Sequence, residues 1–447
     1  MTLTFELMAP LMFAGLIVFL LLGYPVAFSL SAVGLVFGAL AIHLGFFQFV
    51  LLQALPERIF GIVNNQLLLS IPFFTFMGAI LERCGLAEDL LDTMGQLFGP
   101  VRGGLAYAVI LVGALLGAIT GTVAASVIAM GLISLPVMQR YGYDPKVSTG
   151  VIAASGTITQ IIPPSLVLVV LADAMGKSVG DMYAGAFIPS FILVGLFCLW
   201  IFIVSMVWPD KVPALPKEVR TASVGVLFVR CMVSMVPSLV LIFMVLGTIL
   251  LGLATPTEGG AMGAVGALML AIVHRRLRWK TLKESMDITL KLTTMVMFIL
   301  VGSTVFSLVF RGVDGDLWVE HLLSHLPGGV TGFLIFVNVF VFFLAFFLDY
   351  FEIAFIIIPL LAPVAQKMGI DLIWFGVLIG VNMQTSFMHP PFGFALFYLR
   401  SVAPAEIKSS DILLGSIPWV LIMLIMVALV IMFPGMVDLS IRIFGRF

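Results

Sequence analysis

Apolar runs long enough to cross a bilayer recur from Ala9 to Met432, and this feature restricts the possible folds most. A hydrocarbon core takes about 20 consecutive apolar residues per helix. So many such windows exclude a soluble domain carried on one anchor. They also exclude a membrane barrel, whose strands alternate polar and apolar residues where these runs are continuous. Of the 447 residues, 62% are hydrophobic and 10% are charged, against about 25% charged in soluble domains. The expectation is an all-α polytopic membrane protein whose solvent is the lipid bilayer.

The net charge of -1 argues against a nucleic-acid partner. Cys84, Cys198 and Cys231 lie far apart, with no metal-ligand spacing and no disulfide framework, and read as small membrane-facing residues. Glu6 is the only charge before the first apolar run, so the start lacks the basic region of a signal peptide and reads as an uncleaved helix. An acid without Lys or Arg suits a non-cytoplasmic N-terminus. Positive charge gathers at Lys211, Lys217, Arg220 and Arg230, and again from Arg275 to Lys283. Between these clusters lies one apolar block long enough for two helices, so both clusters can face the cytoplasm.

The second half repeats the first. LPVMQRYGYD (135–144) leads into TQIIPPS (159–165), and APVAQKMGID (362–371) leads into SFMHPPF (386–392). Pro136 and Pro363, Gln139 and Gln366, Arg140 and Lys367, Gly142 and Gly369, Asp144 and Asp371, and the two Pro-Pro pairs all share one offset of 227. Upstream, LLLGYPVAFSL resembles LLGLATPTEGGA at a slightly larger offset. The expected organisation is a first repeat over 1–207, a cytoplasmic linker over 208–230 and a second repeat over 231–447. If the units enter from opposite sides, they have inverted topology, which is a signature of transporters with a mid-membrane site.

Each repeat holds a stretch that does not suit a simple lipid-facing helix. In the first, Gly117, Thr120, Gly121, Thr122 and Ser126 interrupt an apolar run; in the second, FFLDYFEIAF carries Asp349 and Glu352. Each reads as a re-entrant helical hairpin, at about 114–140 and 341–367. Backbone left unpaired at membrane depth needs protein or a water-filled cavity around it. Its carbonyls, with hydroxyl and carboxylate oxygens, suit a hard monovalent cation, and half-helix N-termini suit an anionic substrate. Gly113, Gly117 and Gly121 are also spaced for close helix packing, and both readings stand. An ionisable residue such as Asp349 within a span is a functional candidate by default.

A second constellation crowds amides and hydroxyls before each Pro-Pro pair, in AASGTITQIIPPS and VNMQTSFMHPPFG. Proline ends the preceding helix and donates no backbone hydrogen bond. Thr157, Thr159, Asn382, Gln384, Thr385 and Ser386 are therefore placed beside unwound backbone, unless their hydroxyls bond back to the preceding turn. Candidate cation ligands are Thr120, Gly121, Thr122, Asp349, Thr157, Thr159, Asn382, Thr385 and Ser386. Candidate substrate contacts are Ser126, Pro163, Pro164, Gln384, His389, Pro390 and Pro391. No cofactor is expected.

At LLGLATPTEGGAMGAV, MYAGAFIPS, FLDYFEIAFIIIPLLAPVAQKMGID and the paired Pro-Pro segments, the chain resembles the DctM-like large subunit of tripartite ATP-independent periplasmic (TRAP) transporters, in the ion-transporter superfamily. The resemblance implies a scaffold cradling a mobile transport domain, an elevator-type step and coupling to sodium. It also implies a periplasmic substrate-binding protein that delivers an organic acid, a separate small four-helix membrane subunit, and the bacterial inner membrane. Relatives often carry Gly-Ser-Gly-Ser-like residues at the first hairpin and Thr in the place of His389. His389 is open to a structural role, to a carboxylate contact or to proton sensing. The QTSF…PPFGFALFYLR form resembles the branch associated with 2-oxo and other monocarboxylic acids.

Two rival readings follow from the same residues. One is a self-sufficient sodium- or proton-coupled carboxylate symporter of the same superfamily. The other, an intramembrane enzyme, finds no supporting motif. His321 and His325 lack the Glu of a zinc HExxH site, Asp314 and Asp316 lie in a polar loop, and Gly176-Lys177-Ser178 lacks the first Gly of a P-loop.

Overall fold

A computed structural model describes residues 5–216 and 224–445. The regular elements among them are all helical. The first half runs α1 (Phe5–Leu21), α2 (Val26–His43), α3 (Leu55–Val63), α4 (Ser70–Arg83), α5 (Leu86–Phe98), α6 (Gly104–Thr120), α7 (Val123–Arg140), α8 (Pro145–Thr157), α9 (Leu166–Met175) and α10 (Val179–Val207). The second runs α11 (Val224–Leu250), α12 (Pro256–Val273), α13 (Trp279–Gly312), α14 (Gly315–Ser324), α15 (Gly329–Leu344), α16 (Tyr350–Glu352), α17 (Ile358–Lys367), α18 (Leu372–Ser386), α19 (Phe394–Val402), α20 (Ser409–Met432) and α21 (Gly435–Phe444). A single π-helical turn, Ile353–Ile357, joins α16 to α17.

Local chemistry sets many of these boundaries. Asp144 and Asp371 cap the helices that follow them, Asp144 accepting from Lys146 N and Val147 N and Asp371 from Trp374 N. Thr255 and Glu258 form a capping box at the start of α12. The Gly176-Lys177-Ser178 sequence is turn chemistry. Gly176 is the left-handed residue that closes α9, and the Ser178 hydroxyl accepts from Asp181 N at the start of α10.

The repeat is visible in the packing, because several principal contacts have a counterpart with the halves exchanged. α2 packs on α13, and α4 on α12. α7 packs on α19, and α17 on α9; α8 packs on α20, and α18 on α10. Reciprocity of this kind is what a two-fold relation between equal surfaces produces. Glycines permit the approach. A Cβ on Gly415 would lie 2.3 Å from the Lys146 carbonyl oxygen, and one on Gly185 would lie 3.4 Å from Val377 and 3.5 Å from Ile373. Lys146 and Ile373 are themselves 227 residues apart.

Gly121 breaks the chain between α6 and α7, and Phe49–Val63 and Leu67–Arg83 meet at a 49° bend. Among the described residues, eight helices are long and apolar enough to cross a membrane, or up to ten if each bent pair is one span. The exchanged contacts suit two repeats of inverted topology, as in other inverted-repeat transporters. The exposed faces carry Phe28, Phe243, Leu253 and Met269, which suits lipid contact.

Residues 217–223 of the expected linker lie outside the described residues, and α11 already begins at Val224. The part before them folds under the first hairpin. Val212 and Lys211 carbonyls accept from Gly103 N and Asp144 N, both at 2.9 Å. Cys84 and Cys231 are buried in protein rather than facing lipid, with Cys231 Sγ 3.4 Å from Met94 Sδ. Small size lets these thiols fill helix contacts, so the membrane-facing reading is corrected for both.

Candidate functional site

The two hairpins have the same plan at their tips. In the first, α6 ends and Gly121 turns the chain with φ +61; Thr122 is extended (φ -127, ψ 131) and α7 begins. In the second, Asp349 (φ -80, ψ 178) is the extended residue before α16. Thr122 and Asp349 share the offset of 227. The Asp349 carboxylate accepts from Glu352 N at 3.0 Å, and Glu352 Oε2 accepts from Asp349 N at 2.9 Å. This reciprocal cap holds both half-buried carboxylates at the start of the descending arm.

The glycine series of the first hairpin divides by position. A Cβ on Gly113 would lie 2.6 Å from Ser155 Cβ, and one on Gly117 would lie 3.0 Å from Thr159 Cα. These two are packing glycines that seat α6 on the end of α8 and the 3-10 turn Ile158–Gln160. Gly121 is a turn glycine, because only Gly adopts its positive φ without steric cost. Ser126 is fully buried in the first turns of α7. Thr120 closes α6, and its side chain lies outside the described residues.

The second arm of the other hairpin carries an irregularity that its sequence explains. In a regular helix the Phe355 carbonyl would accept from the N–H of residue 359, which is a proline. The backbone opens into the π turn there, and the Ser303 hydroxyl of α13 donates to the Phe355 carbonyl at 2.6 Å. Such π insertions recur at functional sites.

The broken spans meet these tips. Both Pro163-Pro164 and Pro390-Pro391 are cis peptides, each followed by a short helix, α9 and α19. Leu166 lies 3.7 Å from the Cβ position of Gly121, and Val127 of α7 packs on Gly156. The His389 ring stacks on Phe346 of the second tip at 3.9 Å between centroids and meets Phe342 edge-on at 5.1 Å. The Ile158–Gln160 turn in turn packs on α18, so the two constellations meet between the repeats.

The hydroxyls of Thr157, Thr385 and Ser386 bond back to the Ala154, Asn382 and Met383 carbonyls at 2.8, 2.7 and 2.5 Å. Back-bonding leaves their oxygen lone pairs facing away from the turn, as acceptors. Asn382 Nδ2 donates to the Asn338 carbonyl and side-chain oxygen at 2.8 and 3.1 Å, tying α18 to the ascending arm α15. By contrast, the side-chain polar atoms of Thr159, Gln160, Gln384 and His389 are buried without a protein hydrogen-bond partner. Unpartnered amides and imidazole nitrogens at such depth each cost about 1–3 kcal/mol. Each such group calls for a partner such as water, an ion or a ligand. Gln160 was not among the sequence candidates, although its amide stands directly before IIPPS, as the hydroxyls do. Asn338 was also missed, since a lone Asn in an apolar run gives no motif.

This double hairpin with paired broken spans invites comparison with known proteins. The family model described as tripartite ATP-independent periplasmic transporter, DctM component, matches residues 13–436. The chain belongs to the DctM family of TRAP transporter large permeases. It is 31% identical to the C4-dicarboxylate TRAP transporter large permease protein DctM of Pseudomonas aeruginosa, over 86% of this chain and 88% of that one. It is 26% identical to the 2,3-diketo-L-gulonate TRAP transporter large permease protein YiaN of Escherichia coli K12, over 97% and 99%. The YdaH transporter of Alcanivorax borkumensis, described as having an unusual topology, shares the fold with a TM-score of 0.60. That match covers 86% of this chain and 88% of the other at 14% identity, which speaks for fold alone.

As a TRAP large permease, the chain is a multi-pass integral membrane protein, in bacteria of the inner membrane, and a transporter subunit rather than an enzyme. Large permeases of this family work with a periplasmic binding protein and a small membrane subunit.

Proposed function

We propose that this TRAP permease drives uptake of an organic acid with a sodium gradient, carrying both through the membrane on the hairpin domain by an elevator-type movement. The observation that carries the reading is the set of buried, unpartnered polar atoms at Gln160, Gln384 and His389, gathered where two half-helix caps and two broken spans meet. Oxygen ligands for sodium are at hand in Thr122, Thr157, Thr385, Ser386 and the Asp349 carboxylate. A carboxylate substrate suits the donors that are left over, which are the Gln160 and Gln384 amides and a His389 ring nitrogen.

The acid is a C4-dicarboxylate or a related organic acid. The E. coli relative is named for 2,3-diketo-L-gulonate, a 2-oxo monocarboxylate, which agrees with the 2-oxo branch suggested by QTSF…PPFGFALFYLR. The mobile domain comprises the hairpins with α8, α9, α18 and α19, while α2, α4, α12 and α13, packed on one another, form the scaffold.

The test is uptake into proteoliposomes holding this chain with its small membrane subunit, with and without the binding protein. Accumulation of a labelled 2-oxo or C4 acid under an inward sodium gradient supports the reading. Uptake that persists without sodium and collapses with a proton uncoupler overturns sodium coupling. Full activity without the binding protein supports a self-sufficient symporter instead.

A further inference from the structure

The outer ends of the two hairpins differ, although the repeat makes them equivalent. Arg140 closes α7 and Lys367 closes α17, at the shared offset of 227. The helix that leads into each hairpin, α5 or α14, lies beside that end. In the second repeat an ion pair bridges the two helices, with Lys367 Nζ 2.5 Å from Glu320 Oε2 of α14. In the first, a cavity of about 200 Å³ opens between α5, α6 and α7, with Asp92, Gln96, Ser134 and Arg140 in its lining. No ion pair joins Arg140 to a carboxylate among the described residues, and the Asp92 carboxylate accepts from Gln96 Nε2 at 3.1 Å instead.

We infer that Arg140 and Asp92 pair in the opposite-facing state, and that this pair is exchanged for the Lys367–Glu320 pair seen here. The inference rests on the alternating-access reading above. Two repeats of one design differ in side-chain pairing at the same place, one joined by a salt bridge and one open around its separated charges. When the repeats trade conformations, a molecule with inverted halves presents the same structure to the other side of the membrane. The acid of α5 stands one position before the equivalent of Glu320, which is Thr93, and the longer guanidinium of Arg140 spans the difference. Lys367 and Glu320 are partly exposed, with 62% and 34% of their side chains accessible. Pairs of that kind are weak, which suits an exchange that must run in both directions without trapping either state.

The experiment uses the full chain with its small subunit in proteoliposomes, after Cys84, Cys198 and Cys231 are replaced. Asp92→Cys/Arg140→Cys and Glu320→Cys/Lys367→Cys are built singly and together, and treated with a short, reducible bifunctional thiol reagent. Each pair is expected to crosslink, to stop uptake until reduced, and to prevent crosslinking of the other pair in the same molecule. Independently, Arg140→Asp is expected to slow uptake about two- to five-fold, and Asp92→Arg/Arg140→Asp to restore it. A first pair that never crosslinks, or two pairs that crosslink together, overturns the exchange, as does a charge reversal without effect. Mutual exclusion is read on the protein without transport. It therefore decides the exchange even where uptake proves independent of sodium, which would overturn the proposed coupling instead.

Discussion

Thr122 and Asp349, 227 residues apart, stand at the same point of the two hairpins, each as the extended residue from which a descending arm begins. One carries a neutral hydroxyl and the other a carboxylate. The two tips therefore share a backbone plan while differing by one charge, and that charge sits at a helix N-terminus, where a carboxylate is already favoured.

Asp349→Asn separates the two roles of this residue. Asn caps a helix about as well as Asp, so the melting temperature in detergent is expected to change little. Removing the charge is expected to raise the sodium concentration for half-maximal uptake about ten-fold or more, a change of ~1.4 kcal/mol in binding. Unchanged sodium activation would reduce Asp349 to a cap. Asp349→Ala, which loses the cap as well, is expected to cost about 1 kcal/mol of stability.

Ser303 and Pro359 form a compensating pair around one carbonyl. Ser303→Ala leaves the buried Phe355 carbonyl without its 2.6 Å donor, at a cost of about 1–3 kcal/mol. Adding Pro359→Ala supplies an N–H within the helix, so the double variant is expected to regain most of the lost thermal stability. A double variant no more stable than Ser303→Ala would show that the hydroxyl does not stand in for the missing amide.

The two kinds of glycine at the first hairpin predict different failures. A Cβ on Gly117 would meet the Thr159 Cα at 3.0 Å, so Gly117→Ala is expected to shift the Ile158–Gln160 turn and weaken transport. Gly121→Ala places a side chain at φ +61, at a cost of about 1 kcal/mol or more, whereas Gly121→Asn is better tolerated. Equal uptake and melting temperature for Gly121→Ala and Gly121→Asn would rule out backbone conformation as the constraint.

His389→Phe tests whether the imidazole is there for the ligand. The variant preserves ring contact with Phe346 and Phe342 and removes two buried unpartnered nitrogens. It is expected to melt higher and to lose affinity for the acid at least ten-fold, or about 1.4 kcal/mol. Wild-type affinity in His389→Phe would return the residue to a packing role.

Cysteines placed at Thr122 and Tyr350, in a chain with its native cysteines replaced, report on the direction of the hairpins. Inverted topology of the two repeats predicts modification of the two positions from opposite sides, with substrate or sodium slowing both. Labelling of both from one face under all conditions would mean parallel repeats.

Much of the architecture is legible in the chain because membrane constraints are local. Apolar runs of bilayer length, Pro-Pro pairs and Gly-Asp turns act over a few residues, and their recurrence at 227 reveals the repeat without coordinates. The Pro-Pro segments and the polar hairpin tips were readable for the same reason. Other features depend on atoms distant in sequence. Whether Gly117 packs and Gly121 turns is decided by the nearness of Thr159 and by a dihedral angle, not by the four-residue spacing they share. Back-bonding satisfies Thr157 and Thr385 while Gln160 and Gln384 remain without partners, and only the surrounding helices determine which groups are left. Arg140 and Lys367 match in the alignment of the halves, yet one lines a cavity and the other holds Glu320. Corresponding segments encode corresponding elements, but which of their charged side chains meet is decided by packing between helices distant in sequence.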